Sequence, residues 1–485
     1  MRKKIIMLFL CGWFCSSCSE FLNLKPDNQQ VVYTLEDVKV SMSAYLYAMC
    51  SPVQYPLYYN DVLVGFPYSK RPCANFVMYS DDILMTKAVD NAYSRIYEEN
   101  YLEDVDWEGR TFAESFWSCA YLNIGYLNTV LHDLENVGNE YKNMEDYERI
   151  SGEARVFRAY YIFKLLQLFA PYGDNELGIP VNFDSEEVIG SSRWSQTKVY
   201  ETIIKELNEV LKYETVADNW NAMFRSDVIK ALLAEVYWFK ARSGAAEESD
   251  WTNAAKYSGE LIERYEPISS TEEYFKVFNA ENTAPGAFVR DNAHVLVLFS
   301  MYSNLYSFWG APSATAYQAP NTELLQMFDK NDIRFNAFFK NIGTDSNPLY
   351  CVNKIVYEED LVVLFRSDEM YLINAEANLH VQPARAEEVF LKYVKAKLPS
   401  YILVDDLQTA IMKERRKEFC FEMDFRWLDM KRFGMEISRE ALDVDGESVR
   451  VYSLEKDDYR YALPIPTEAE LDWNDKMEQN PGWEF

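Results

Sequence analysis

From about Leu35 to Tyr265 the apolar residues recur at three- and four-residue spacing, and Gly and Pro fall mainly between these runs rather than inside them. That spacing is the period of an amphipathic helix, so it commits the first half of the chain to helices and excludes a sheet-based core there. Ser115–Leu134, Tyr147–Phe169, Thr197–Tyr213, Arg225–Arg242 and Thr252–Tyr265 are the predicted helices, with Ser195 as a capping residue before the third. Helices of this length on short connections are expected to stack as hairpins. Ala231–Tyr237 and Ala254–Tyr257 carry the small-residue and tyrosine pattern of tetratricopeptide units, although no strict repeat of about 34 residues can be read. Between about Pro267 and Tyr357 the period breaks into loops, a β-prone run at His294–Phe299, and a stretch rich in Tyr, Trp, Ser, Ala and Asn from Tyr302 to Tyr317. This predicts an irregular insertion. Helices resume at Arg366–His380, Arg385–Lys397, Val404–Phe419 and about Phe425–Phe433, before a proline-containing extended tail, Leu463–Phe485.

The N-terminus is of another kind. Arg2, Lys3 and Lys4 precede a short apolar run, Ile5–Phe14, and then Cys15-Ser16-Ser17-Cys18. Cations, a short apolar segment and small residues before a cysteine are the layout of an export signal. The run is roughly half the ~20 residues that a membrane-spanning helix needs, so it cannot be the lasting anchor. The stretch resembles a bacterial lipoprotein signal, which implies cleavage before Cys18 and lipid on its thiol and amine. Two or more acyl chains hold a soluble domain on a membrane stably, where one does so only marginally. The expected organisation is a signal over residues 1–17, a lipidated tether over 18–34, and one domain over 35–485.

Composition narrows the partners. The formal charge of −29, less the three cations Arg2, Lys3 and Lys4 of the signal, becomes −32. Nucleic acid and polyanions bind through clustered Lys and Arg, so neutral or cationic ligands fit this surface better. The acidity also serves simply to keep a tethered protein soluble. Cys50, Cys73, Cys119, Cys351 and Cys420 are an odd, widely spaced set, expected to be mostly buried thiols. His132, His294 and His380 lie far apart, and with no Cys or His pair at ligand spacing neither a metal site nor a cofactor is expected.

Six segments carry a resemblance. They are Cys18-Ser-Glu-Phe-Leu-Asn-Leu-Lys-Pro26; Trp117-x-x-x-Tyr121-x-x-Ile124-x-x-x-Asn128; Gly152–Tyr161 with Tyr172-Gly-Asp174; Asn321–Leu325 with Asp332-Ile-Arg334; Arg366–Ala377; and Glu414-Arg-Arg-Lys-Glu-Phe-Cys-Phe-Glu422 running into Arg426-Trp-Leu-Asp429, Lys431-Arg432, Leu463-Pro-Ile-Pro466 and Gln479-Asn-Pro481. In this order they resemble the SusD/RagB family of outer-membrane nutrient-binding lipoproteins, nearly end to end. Cys420 and Met423 stand where that family usually has Gly or another small residue, and Phe425 replaces its common His or Tyr. The resemblance implies a mainly α fold of stacked tetratricopeptide-like hairpins under an irregular, loop-rich ligand layer. It also implies a surface-exposed place on the outer membrane and a TonB-dependent, SusC-like transporter as partner. The implied activity is capture of a glycan or a peptide rather than catalysis.

Glu414, Glu418 and Glu422 stand four apart beside Arg415, Arg416 and Arg426, which invites a catalytic reading. Carboxylates at that spacing among arginines are more often ion-pair networks between helices, and the resemblance implies the same, with the motif fixing the C-terminal tail to the core. Glu422 with Arg426 and Arg426 with Asp429 have pairing spacing if the helix is continuous. Glu153, Arg155 and Arg158 are expected to lock their helix to a neighbour. No nucleophile elbow, phosphate loop or metal-binding helix is found; a glycosidase-type carboxylate pair is unsupported rather than excluded.

A sugar site wants flat aromatic platforms flanked by amide, carboxylate or guanidinium groups. Tyr302, Asn304, Tyr306 and Trp309 are the densest such material without helical spacing. The resemblance implies that the insertion and an N-terminal loop form the ligand surface together. The N-terminal material is Tyr55–Tyr68 and Asp81 through Tyr101 to Trp107, from which Arg71, Asp81 and Trp107 are the further candidates.

Overall fold

A computed structural model describes residues 34–50, 57–59, 62–64, 72–86, 104–107, 112–142, 144–183, 190–213, 223–278, 294–300, 319–354, 361–442 and 447–483. The chain enters through helix α1 (Leu35–Cys50), a two-residue hairpin of β1 (Tyr58–Tyr59) and β2 (Val62–Leu63), helix α2 (Pro72–Tyr79) and the short strand β3 (Met85–Thr86). The predicted helices then follow in order: α3 (Phe112–Asn136), α4 (Glu145–Phe169), α5 (Gln196–Val210), α6 (Ser226–Lys240) and α7 (Ser249–Ile262). Ser195 caps α5 as expected, its Oγ accepting from the Lys198 amide at 3.2 Å.

Beyond α7 lie α8 (Thr271–Phe278), β4 (Val295–Ser300), α9 (Thr322–Gln326), α10 (Ile333–Phe338), and the strands β5 (Phe339–Asn341), β6 (Tyr350–Val352) and β7 (Leu361–Arg366). Helices resume with α11 (Ser367–Val381), α12 (Pro383–Lys397), α13 (Leu407–Phe419) and α14 (Phe425–Phe433), and a hairpin of β8 (Ile437–Leu442) and β9 (Ser448–Leu454) precedes the tail.

Packing follows the chain: α3 on α4, α4 on α5, α6 on α7, and α11 on α12, with α11 also laid directly against α7. The insertion therefore interrupts the stack between two neighbouring hairpins without breaking the helical layer. The fold is mainly α, as the periodicity predicts. Close approach is built in where α4 meets the segment before α6: a Cβ on Gly152 would stand 2.5 Å from the Phe224 ring. Among the described residues no helix is long and apolar enough to cross a membrane.

The acidic helix face of the C-terminal motif is an interior lattice. Glu418, fully buried, accepts from Arg366 Nη1 at 3.0 Å, Tyr274 OH at 2.7 Å and Tyr393 OH at 2.8 Å, with Arg334 Nη1 at 3.5 Å. Glu414 takes Arg334 Nη2 at 2.6 Å and Lys417 Nζ at 2.8 Å. Burial alone would raise the Glu418 carboxyl, but Lys397, Arg366, Arg334 and Lys354 around it hold it down at about 2. These acids therefore tie α13 to α10, α12 and β7, and they are structural.

Two pairings expected from spacing are corrected. Glu422 binds Arg366 Nη2 at 2.8 Å and Lys354 Nζ at 2.5 Å rather than Arg426, and Arg426 reaches Asp81 rather than Asp429. A break between α13 and α14, where Phe421 has φ of 65° and Met423 φ of 37°, separates Glu422 from Arg426, whereas Asp429, on the same helix as Arg426, is taken by Arg415 Nε at 3.0 Å. The helix is not continuous. Left-handed backbone at Met423 also gives a physical reason for a small residue near this place.

The expected locks elsewhere hold. Arg155 and Arg158 both grip Glu206 on α5, and Glu153 accepts from the Phe224 amide at 3.1 Å. The tail is pinned through Lys431, whose Nζ donates to Gln167 O at 2.7 Å and Ala170 O at 2.6 Å, and through Asn480, which donates to Phe169 O and Leu463 O. Cys351 and Cys420 are buried free thiols.

Candidate ligand-binding site

The two chain stretches from which a ligand layer is expected have their ends fixed side by side. Leu84 donates its amide to Ala319 O at 3.0 Å, Asn321 donates to Asp82 O at 2.7 Å, and Ile83 forms an antiparallel bridge with Pro320. Residues 81–86 lead into the N-terminal aromatic stretch, and residues 319–321 close the aromatic insertion. The other end of each is also anchored. Val295–Ser300 pairs antiparallel with Leu361–Arg366, and residues 104–107 return into the core.

Two devices hold the first stem. Asp81 receives a two-pronged contact from Arg426, Nε to Oδ1 at 2.7 Å and Nη2 to Oδ2 at 2.8 Å, while Arg416 donates to its backbone oxygen at 2.8 Å and to Asp82 Oδ1 at 3.1 Å. Burial acts to raise the Asp81 carboxyl, but Arg426 and then Arg416 hold it well below the usual carboxylate range. Asp82 moves the other way, pushed up by burial against the pull of Arg416, with the neighbouring Asp81 charge adding to the rise. The second device is the C-terminal hairpin. Met85 and Thr86 pair in parallel with Ala441 and Leu442, Arg439 donates to Ile83 O at 3.0 Å and Met78 O at 3.3 Å, and Tyr452 OH donates to Tyr79 O at 3.0 Å.

This geometry changes the standing of two candidates. Trp107 is fully buried: its indole donates to Arg460 O at 3.0 Å, and its ring packs against Tyr79, Phe76, Trp427 and Phe112. A ring with no exposed surface offers no platform, so the expectation of ligand contact gives way to an anchoring role at the end of the N-terminal stretch. Asp81 is likewise an anchor, its carboxylate already matched by two guanidinium groups. Cys18, Arg71, Tyr302, Asn304, Tyr306 and Trp309 lie outside the described residues. Sequence reasoning missed the buttress made by Arg439, Tyr452, Arg416 and Arg426. Over three hundred residues separate these groups from the stem; Arg416 and Arg426 stand out only within their own motif, and nothing local marks Arg439 or Tyr452. Among the described residues no group of three or more His, Cys, Asp or Glu is arranged to hold a metal ion.

A stack of helical hairpins that clamps the ends of two long aromatic stretches against each other is a rigid support for a loop-borne binding surface. Comparison with known proteins agrees with that class. Residues 20–238 match a family described as "Starch-binding associating with outer membrane", and residues 352–483 match the SusD family, together well over half of the chain. The chain belongs to the SusD/RagB family.

Solved structures share the fold at low identity. A SusD-like carbohydrate binding protein of Bacteroides vulgatus is 18% identical, with 92% of this chain and 97% of that one covered and a TM-score of 0.68. A SusD superfamily protein of Parabacteroides distasonis is 16% identical, with 92% and 99% covered and a TM-score of 0.66. Surface glycan-binding protein A of Bacteroides fluxus is 16% identical, with 93% and 100% covered and a TM-score of 0.63. No curated protein matches the chain.

Proposed function

We propose that the protein captures an oligomeric nutrient, a neutral glycan, at the cell surface and delivers it to a partner TonB-dependent transporter. The observation that carries the reading is the junction of Leu84 with Ala319 and of Asp82 with Asn321, which fixes the ends of two aromatic-rich stretches next to each other. Aromatic rings and short polar side chains on adjacent stretches suit the apolar faces and hydroxyl rims of sugars. Family membership supports the outer-membrane setting, and the printed names of two structural neighbours supply the glycan class. The formal charge of −29 favours a neutral ligand over an acidic one.

In this reading Cys18 carries lipid and keeps the protein beside its transporter. Tethering raises the local concentration, so a modest affinity suffices and release stays fast. The protein binds rather than cleaves: the acids of its longest motif are already engaged in ion pairs. The site is placed on the insertion, with Trp309 and Tyr306 as platforms and Tyr302 and Asn304 beside them.

Affinity electrophoresis of the full chain in detergent against neutral glycans, acidic glycans and peptide mixtures tests this, with analysis of each ligand afterwards. Retardation by a neutral glycan that stays intact, lost in Trp309→Ala, is the expected result. Retention of peptides alone would assign a peptide cargo instead, and shortened glycan would overturn the reading in favour of a hydrolase.

A further inference from the structure

The hairpin of β5 and β6 is seated on the junction of the two aromatic stretches. Cys351, buried on β6, and Ala319, at the close of the insertion, form a small apolar cluster apart from the main core, and Leu84, Ile342 and Leu349 pack onto it. Leu84 is the residue whose amide binds Ala319 O, so the hairpin rests on the residues that join the stems. Ile342 donates its amide to Leu349 O at 2.8 Å, and beyond that pair lies the tip, residues 343–348. Two residues at ~3.3 Å each carry it roughly 7 Å past the cluster.

The tip is fixed by its own backbone. Thr344 and Asn347 exchange amide hydrogen bonds at 3.1 Å each, which leaves Asp345 and Ser346 as a two-residue turn. At its base Asn341 Oδ1 accepts the amides of Gly343 at 2.9 Å and Leu349 at 3.0 Å. A Cβ on Gly343 would stand 2.4 Å from Asn347 O, so the closure needs a glycine there. Every residue from Gly343 to Pro348 is exposed. Among the described residues the Asp345 carboxylate and the Asn347 side-chain amide have no hydrogen-bonding partner.

The chemistry of the tip narrows what it can touch. Its polar groups sit on short side chains above a preformed turn, so little rotamer freedom is lost when they bind. A carboxylate accepts, and a side-chain amide both donates and accepts, which together match neighbouring sugar hydroxyls. A protein partner needs a buried aromatic or apolar anchor, and between Gly343 and Pro348 only the proline is apolar. A hydroxyl-rich ligand therefore suits the tip better than a protein face.

We infer that the β5–β6 tip is a third wall of the glycan surface, where Asp345 and Asn347 hydrogen-bond sugar hydroxyls that stacking rings do not read. This rests on the neutral-glycan reading above. Calorimetry and affinity electrophoresis of the full chain in detergent test it, with amylopectin, xyloglucan, galactomannan and mannan as probes, beside Trp309→Ala and the double variant Asp345→Ala/Asn347→Ala. The double variant is expected to bind the preferred glycan at least fivefold more weakly at an unchanged melting temperature. In the unsubstituted protein that glycan should also slow hydrogen exchange at residues 343–348. Unchanged affinity in the double variant, or a tip whose exchange the glycan leaves untouched, overturns the inference; where Trp309→Ala still abolishes binding, the capture reading stands without it. An unsubstituted protein that binds none of the four overturns both.

Discussion

Glu418 shows how this chain uses a charge in its interior. It is fully buried and matched by Arg366, Tyr274 and Tyr393, with Lys397, Arg334 and Lys354 adding to the field that keeps it ionised. Replacing it as Glu418→Gln leaves those cations uncompensated, and breaking a buried pair costs about 3–5 kcal/mol; a drop of that size in the urea unfolding free energy is expected. Acid should act on the same groups. The Glu418 carboxyl is held at about 2, as is that of Glu376, where burial acts to raise it and Arg432 and Arg242 prevail. An unfolded glutamate titrates near ~4.3. As pH falls below that value the unfolded chain takes up protons first, so stability is fully present above it and is lost on the way down to about 2. Buried Glu369, pushed up to about 8 by desolvation, acts with the opposite sign, so the test is a difference: urea midpoints should fall further from pH 5 to pH 3 in the parent protein than in Glu418→Gln, and equal falls would contradict this assignment. The sequence disclosed that these acids belong to a network. It did not disclose their partners, because the backbone turns left-handed at Phe421 and Met423 and sends Glu422 and Arg426 to different elements.

At the level of elements, what was legible follows the strength of the period. Helices of thirteen residues or more from Phe112 onward were found within a few residues of their ends, the sixteen-residue Leu35–Cys50 was covered only by the general helical period, and the β-prone run at His294–Phe299 is the strand Val295–Ser300. The eight-residue Pro72–Tyr79 was missed because two turns give too little periodicity to read. The hairpin of Ile437–Leu442 and Ser448–Leu454 was missed because a buried arginine, Arg439, sits among the inward positions Ile437 and Ala441 and hides the alternation, and because the strand pairs in parallel with two residues far upstream. Close packing of elements predicts that Gly152→Ala, which drives a methyl against the Phe224 ring, lowers stability by about 1–3 kcal/mol; thermal denaturation measures it. The hairpin's role as a buttress predicts a functional effect. Arg439→Leu removes the donors to Ile83 O and Met78 O, so glycan affinity should fall severalfold while far-ultraviolet circular dichroism stays unchanged. Unaltered affinity would show that the stem needs no such support.

For the whole molecule, the helical stack works as a mount. The insertion enters and leaves between α7 and α11, which pack directly on each other, and its helices α8 and α10 tie it to the core through Tyr274 on Glu418 and Arg334 on Glu414. The sequence marked the expected binding layer only by composition, and the structure describes two of its candidates. Trp107 and Asp81 stand among aromatic and polar residues in the sequence, and only their long-range partners, Trp427 for the first and Arg426 for the second, reveal them as anchors. The central claim is that the N-terminal stretch and the insertion form one ligand surface. Hydrogen–deuterium exchange of the full chain, with and without the glycan that retards it most, tests that claim directly. Slowed exchange in residues 87–103 and 301–318 together, with the helical stack unchanged, is the predicted result. Protection confined to one of the two stretches, or found only elsewhere in the chain, would contradict it.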